Sequence, residues 1–456
     1  MKQYDAIIIG SGKISETLAI KLSGRGWRVA IINPIDKTEG EDRQDLTDSL
    51  HSLAYEAEVA SLLYYDDYPK QAKIYKQAIT RKDRLSFFLK ETNSDKLKRS
   101  PNVAIFIGDA SFTSRDTVKV TSGNDYIELK GKEIFIHAGS APLIPPIEGI
   151  ETVENAYINH EILDRNELPK HLIIVGDSYA GLEFASMYAN FGSKVTILES
   201  KDRFMPFADR DVANYIKEVI TRNGIEIHLD AHVRSLLDTE DGIELTYTSL
   251  SGDNPKILEG SAVLVTTGYR PLTDTLRLYV AGVKTNVQGN IIVNDQLRTN
   301  TPHIWALGTI NEGFPLSPLL QDDVRIVCDQ LFGERTRSAN DRSPTPYTLA
   351  IDPPFAHIGI NEEEALKKGH SIIVTRLQAS TVTHSRILHQ PDGILKAIIN
   401  NQNGRIMGCT LFCANAPEMI NIVAMAMKKE QHYSYLRDFV FSAPSMSQSL
   451  NDLFKI

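Results

Sequence analysis

Hydrophobic and polar positions along this chain follow one pattern twice. Residues 4–33 (YDAIIIGSGKISETLAIKLSGRGWRVAIIN) and 171–199 (HLIIVGDSYAGLEFASMYANFGSKVTILE) each begin with an all-apolar run rich in β-branched residues. Such a run predicts a strand covered on both faces. A Gly-centred turn follows, then apolar residues at helical spacing, a second Gly and a second apolar strand. The interval from Gly10 to Gly26 equals that from Gly176 to Gly192, and Gly10 to Asn33 equals Gly176 to Glu199. Two strand–loop–helix–strand units at equal spacing predict two nucleotide-binding domains of Rossmann type.

The pattern continues beyond the loops. Helical periodicity covers residues 50–65 and 68–92, and β-type alternation covers 103–136. The first half closes on EIFIHAGSAPLIPP, where a strand stops before Gly139 and Pro142, Pro145 and Pro146 favour an extended crossing. The second half closes on AVLVTTGYRP around Gly268, and a third strand, in TPHIWALGTI, precedes Gly308. The charged, Pro-bearing segment 333–346 reads as a linker into a terminal domain of mixed strands and helices. The predicted fold is α/β: two Rossmann-like three-layer nucleotide-binding domains plus a C-terminal α+β dimerisation domain. The predicted boundaries are 1–149 with 269–333, then 150–268, then 342–456.

The loops carry the candidate chemistry. In a dinucleotide site the first Gly makes the turn, the second lets backbone approach the pyrophosphate, and the third lets helix and strand pack closely. The phosphates sit on the helix N-terminus, and an acid at the second strand's end binds ribose. The first unit has Gly10 and Gly12, but Ser15 stands third and Asn33 replaces the acid. The second keeps Gly176, Gly181 and Glu199, but Ser178 stands in the middle and Asp177 brings a negative charge where phosphate would approach. Lys201 and Arg203 are weak candidates for a 2′-phosphate, and Lys13 reads as a solvated side chain.

Composition narrows the classes. A chain of 456 residues is too long for one core, and its net charge of −9 offers no footprint for nucleic acid. No apolar run reaches the roughly 20 residues that span a bilayer, and the start lacks a signal-peptide pattern, so a cytoplasmic location is expected. Of the three cysteines, Cys409 and Cys413 fall in one strand-like run, RIMGCTLFC. Four residues of strand separate Cα atoms by about 13 Å, too far for a disulfide. Cys328 lies in a helical pattern, and all three read as structural. No metal-ligand spacing stands out.

The stretches GLEFASMYANFGSKVTILE, DDVRIVCDQLFGE, PEMINIV and PSMSQSLNDLF resemble the pyridine nucleotide–disulfide oxidoreductases, and the resemblance covers essentially the whole chain. It implies FAD in the first unit, NAD(P)H in the second and a homodimer through the C-terminal domain. It also implies hydride transfer to flavin, then electron transfer to a cysteine pair. The family's two cysteine positions fall here on Asp42 and Thr47, and a family Lys near the flavin falls on His51. The family's acid–base His and Glu fall on Ala443 and Gln448, and its flavin-anchoring Asp on Thr309. Glu183 matches a family Glu near flavin and nicotinamide; it reads equally as a first-turn acid on the helix dipole. Tyr64 and Tyr65 read as core or interface aromatics rather than flavin shields.

Without a thiolate there is no disulfide relay, so disulfide reduction is expected to be absent. The losses at Asn33 and Thr309 would each remove about 1–3 kcal/mol of charged hydrogen bonding, weakening any grip on FAD. Three functions remain. The chain is an NAD(P)H-to-FAD oxidoreductase with a non-disulfide acceptor, or a silent dimeric partner of an active paralogue, or a nucleotide sensor.

Overall fold

A computed structural model describes residues 1–35, 50, 52–57, 59–61, 67–250, 252, 254–311 and 317–456. The chain divides into two compact units, one of residues 1–50, 80–143 and 268–342, the other of residues 51–79, 144–267 and 343–456. The positions Asp42, Thr47, His51, Tyr64 and Tyr65 lie outside the described residues.

The first unit is built on a parallel sheet. Strand Lys2–Ile9 lies between Val29–Asn33 and Asp125–Ile136, with Val103–Ile107 beyond the former and Ile304–Ala306 also paired with the latter. The register sets Ile8 beside Ile31 and Phe135. Alternate residues of the central strand feed opposite layers. Ala6 and Ile8 pack with Ile14, Leu18 and Leu22 of helix Lys13–Ser23 and with Val324 and Val327 of helix Ser317–Phe332. Ile7 and Ile9 pack instead with Phe112, Val118 and Val120 of an antiparallel extension of the sheet. Burial on both faces explains why this strand shows no polar alternation.

The second unit repeats the plan. Its five-stranded parallel sheet is centred on His171–Val175, flanked by Lys194–Leu198 and Ala262–Val265. Helix Tyr179–Asn190 follows the central strand, and helix Arg210–Arg222 leads into Ile225–His228. An antiparallel three-stranded sheet over residues 232–260 packs Leu236, Ile243 and Leu245 against Ile173 and Val263. Residues 347–412 form a five-stranded antiparallel sheet, and helix Ala416–Lys428 buries Met419, Ile420 and Val423 on it. Among the described residues no helix is long and apolar enough to cross a membrane.

Three local readings change. The helix beginning at Tyr68 runs on to Lys98, past the expected end. Segment 333–346 is no plain linker: Arg337 and Arg342 pair with Asp322, Arg342 also pairs with Asp323, and Ala339–Arg342 forms a 3₁₀ turn. Cys413 lies just beyond strand Ile406–Phe412 rather than inside it.

Candidate dinucleotide sites

In the first unit the chain turns from strand Lys2–Ile9 into helix Lys13–Ser23 through Gly10, which has φ of 118°. A Cβ there would lie 1.9 Å from the carbonyl oxygen of His137, so only glycine permits this approach to the neighbouring strand. Gly12 is the N-cap and, having no side chain, supplies no cap of its own to the first N–H groups of that helix. Ser15, expected to stand for the third glycine, is buried and meets His137 Nδ1 at 3.1 Å. The serine thus replaces close packing by a polar tie between helix and sheet.

A cavity of about 170 Å³ opens at the carboxyl ends of the strands, lined by Ile9, Gly10, Ile32, Pro34, Gly108 and Ala138 among others. Ligands of such sheets bind at this place. Asn33 lies between two of the lining residues in sequence, and among the described residues its buried Oδ1 has no hydrogen-bond partner. An orphaned buried acceptor costs free energy unless something donates to it. A hydroxyl donor, such as that of a ribose, would satisfy it. Across the same unit Gly139 follows the strand that ends at Ile136, and Gly308 opens a 3₁₀ turn to Ile310. Thr309 Oγ1 donates to Ser140 Oγ at 3.3 Å, a neutral contact where a carboxylate was the family expectation. The Gly308 N–H donates to Asp323 Oδ2 at 2.7 Å. Burial pushes the Asp323 carboxyl up, against the pull of Arg342.

The second loop differs in one respect: the Asp177 and Gly181 N–H groups are engaged by side chains. Ser178 caps helix Tyr179–Asn190, accepting from the Gly181 N–H at 3.1 Å. Glu199, just past strand Lys194–Leu198, accepts from the Asp177 N–H at 2.8 Å, the Lys201 N–H at 2.8 Å and Ser200 Oγ at 3.1 Å. Asp177 was expected to present a bare charge to phosphate; instead it is 3% exposed and accepts from the Met205 N–H at 3.0 Å. Burial, with the Glu199 carboxylate beside it, raises Asp177 to about 7. Burial also opposes the charge on Glu199. Hydrogen bonds from Asp177 and from two backbone N–H groups outweigh that and hold Glu199 below the usual carboxylate range. A Cβ at Gly181 would lie 2.5 Å from Gly176 O and 2.6 Å from Thr266 Oγ1, so the packing role of that glycine persists.

The remaining candidates scatter. Glu183 lies beyond the first helical turn, is buried, and accepts from the Ala350 N–H at 2.8 Å. Lys201 Nζ stands 3.8 Å from Glu199, and Arg203 pairs with Glu363. Lys13 begins the first helix. Gly268 follows strand Ala262–Val265 at a positive φ. Ala443 and Gln448 are both exposed.

Sequence reasoning missed two features. One is His137, a polar residue ending an apolar strand, which was visible in IFIHAG. The other is Lys396, 1% exposed, whose Nζ meets Asp209, Asp211 and Glu362 at 2.9, 2.8 and 2.7 Å. These three carboxylates have the proximity of a metal-ligand group, but the ammonium occupies their centre.

The comparisons with known proteins agree with this architecture. The sequence model of the pyridine nucleotide-disulphide oxidoreductases matches residues 4–322, and that of their dimerisation domain matches residues 345–454. The chain belongs to this family. It is 37% identical over 459 residues, the full length of both, to the probable pyridine nucleotide-disulfide oxidoreductase RclA of Escherichia coli. It is 31% identical over 338 residues to dihydrolipoyl dehydrogenase of Geobacillus stearothermophilus, covering 73% of this chain and 69% of that one. A solved structure of the Cu(II) complex of E. coli RclA, described as an HOCl-induced flavoprotein disulfide reductase, superimposes with a TM-score of 0.90. That match is 37% identical and covers 100% of this chain and 99% of the other. Within that family this chain stands apart, because none of its cysteines is placed as a redox pair. Cys328 sits in helix Ser317–Phe332, while Cys409 and Cys413 are buried in the C-terminal sheet region.

Proposed function

We propose that the chain is a homodimeric oxidoreductase that takes hydride from NAD(P)H and delivers electrons to an acceptor other than a disulfide. Residues 1–149 with 269–333 hold FAD, residues 150–268 hold NAD(P)H, and residues 342–456 join two copies. The observation that carries this reading is the first loop. Its glycine turn is intact, its N-cap is a glycine that leaves the helix start open to close approach, and Asn33 offers a buried acceptor that no described residue satisfies. The Gly10 turn and Gly12 let the start of the helix approach the pyrophosphate, Asn33 accepts from ribose, and Thr309 and Ser140 face the flavin half as neutral groups. Bound flavin supplies two-electron chemistry by itself once positioned. With no thiolate relay, the electrons leave without a sulfur intermediate. Exposed Met425, Phe439 and Val440 supply apolar surface for the second copy. The E. coli relative was solved with Cu(II), so a metal ion stands beside oxygen and quinones among acceptors to assay.

The test is the visible spectrum of the purified protein, followed by NADH oxidation with each acceptor. Bound flavin and alkylation-resistant turnover support the reading, and colourless protein refutes it. One observation favours a second reading, a catalytically silent partner of an active paralogue or a nucleotide sensor: two N–H groups of the second loop, those of Asp177 and Gly181, are bonded internally. Recovery of an active homologue with the purified protein, together with no NADH oxidation, would select that reading.

A further inference from the structure

We propose that Asp177 makes the second dinucleotide site proton-gated, so that it holds an anionic dinucleotide only while the Asp177–Glu199 pair carries a proton. The inference rests on the reading that residues 150–268 receive NAD(P)H. Its basis is geometric. A carboxylate offers about four lone-pair sites. Glu199 spends one on the Asp177 N–H, one on the Lys201 N–H and one on Ser200 Oγ. The Asp177 carboxyl lies beside it, since the Asp177 backbone is one of these donors and Lys201 Nζ stands 3.9 Å from Asp177 and 3.8 Å from Glu199; two buried carboxyls sharing one site favour holding a proton between them. Both carboxyls are 3% exposed, so water cannot replace a lost partner.

With the proton in place the pair bears one negative charge. Asp177 then stays turned toward Glu199 and Met205, and the loop backbone is free of a second charge. When the proton leaves, two carboxylates share one buried site beneath the helix N-terminus. Their repulsion falls where a pyrophosphate would add still more negative charge.

Other charges around the pair do not remove this dependence. Lys201 Nζ is 3.9 Å from Asp177 but more than half exposed, so solvent screens it. Arg210, at the start of helix Arg210–Arg222, spends its guanidinium on the carbonyls of Phe204, Met205 and Ala208. His228 receives the Glu199 N–H at its carbonyl, while its ring meets Tyr247 and Glu226. Asp230 is held by Ser249 and His232. Burial and the neighbouring Glu199 thus prevail over these charges and raise Asp177 to about 7.

The experiment is NADH binding by the full-length protein from pH 6.0 to 8.5, read by calorimetry in two buffers of different ionisation heat. NADH is chosen because it lacks a 2′-phosphate that titrates in this range. If only the protonated pair binds, the apparent Kd scales inversely with the protonated fraction and rises about thirtyfold over the interval. Uptake then approaches one proton per bound nucleotide at the alkaline end. Asp177→Asn, which mimics the protonated form, should bind tightly at every pH with no proton uptake, and Asp177→Gly should also lose the pH dependence. Wild-type binding that is flat with pH overturns the gate while leaving the nucleotide reading intact. Binding by Asp177→Gly but by the wild type at no pH also overturns it, because a proton then fails to relieve the block. No binding by any of the three proteins refutes the nucleotide reading itself, and the gate with it.

Discussion

Replacing Lys396 by methionine removes an ammonium from a cage of three carboxylates while keeping most of the side-chain volume. Lys396 is 1% exposed; its Nζ donates to both Asp211 oxygens and lies in ion-pair contact with Asp209 Oδ2 at 2.9 Å and Glu362 Oε2 at 2.7 Å, so its charge is what compensates three carboxylates. Arg376 adds contacts to Asp211 at 2.6 Å and Glu362 at 2.7 Å, but it is partly exposed and cannot neutralise all three acids. Removing one partner of a buried ion pair costs about 3–5 kcal/mol, because the other charge stays buried without compensation. For a domain of this size that corresponds to a fall in Tm of about 6–20 °C. The pH profile follows from the signs. Burial opposes the Lys396 charge, but its carboxylate partners outweigh that and raise it, so its stabilisation is complete below the ordinary lysine range and fades only above it. Burial likewise opposes the charge on Asp211, yet Lys396 and Arg376 lower it, so its share is complete above the ordinary Asp value and is lost as pH falls through the lowered value. The deficit of Lys396→Met should therefore be largest between these limits and shrink in acid. Because the three acids could then act as ligands, millimolar Mg²⁺ or Ca²⁺ should restore part of the loss. Differential scanning calorimetry of both proteins checks this, and a neutral-pH Tm within 2 °C of wild type would refute the argument.

Three further outcomes follow from the sites. Asn33→Asp should tighten FAD about tenfold, since a charged acceptor bonds ribose more strongly than an amide; flavin fluorescence titration measures it, and unchanged or weaker binding counts against Asn33 as the ribose ligand. Gly181→Ala places a methyl within 2.6 Å of Gly176 O and Thr266 Oγ1, so it should destabilise the second domain by about 1–3 kcal/mol, seen as earlier thermal unfolding. Burial pushes the Cys413 thiol up to about 12 and raises Cys409 and Cys328 as well, so alkylation of native protein should be slow and leave NADH oxidation unchanged.

The duplicated α/β plan was legible because it depends on patterns that one sequence displays. Runs such as AIII before Gly10 and LIIV before Gly176 can be buried on both faces only in a parallel sheet. The equal glycine spacings fixed the strand–helix connections. The state of each loop was not legible, because it is decided by partners distant in sequence. Asp177 looked like a bare charge in GDSYAG, and its character depends on Glu199 and on the Met205 N–H. Glu183 matched a family position, but the Ala350 N–H it serves is far along the chain. Lys396 sits in a strand whose neighbours are all apolar, and nothing local marks it as buried. Its partners, Asp209, Asp211 and Glu362, come from separate segments that only the fold assembles.

Anaerobic addition of NADH to the purified protein, followed by visible spectroscopy, tests most directly whether this scaffold moves electrons without sulfur. The account predicts a bound flavin whose absorbance bleaches on NADH addition, with no long-wavelength thiolate–flavin band before or after alkylation. A colourless protein, or a charge-transfer band that alkylation abolishes, would contradict it.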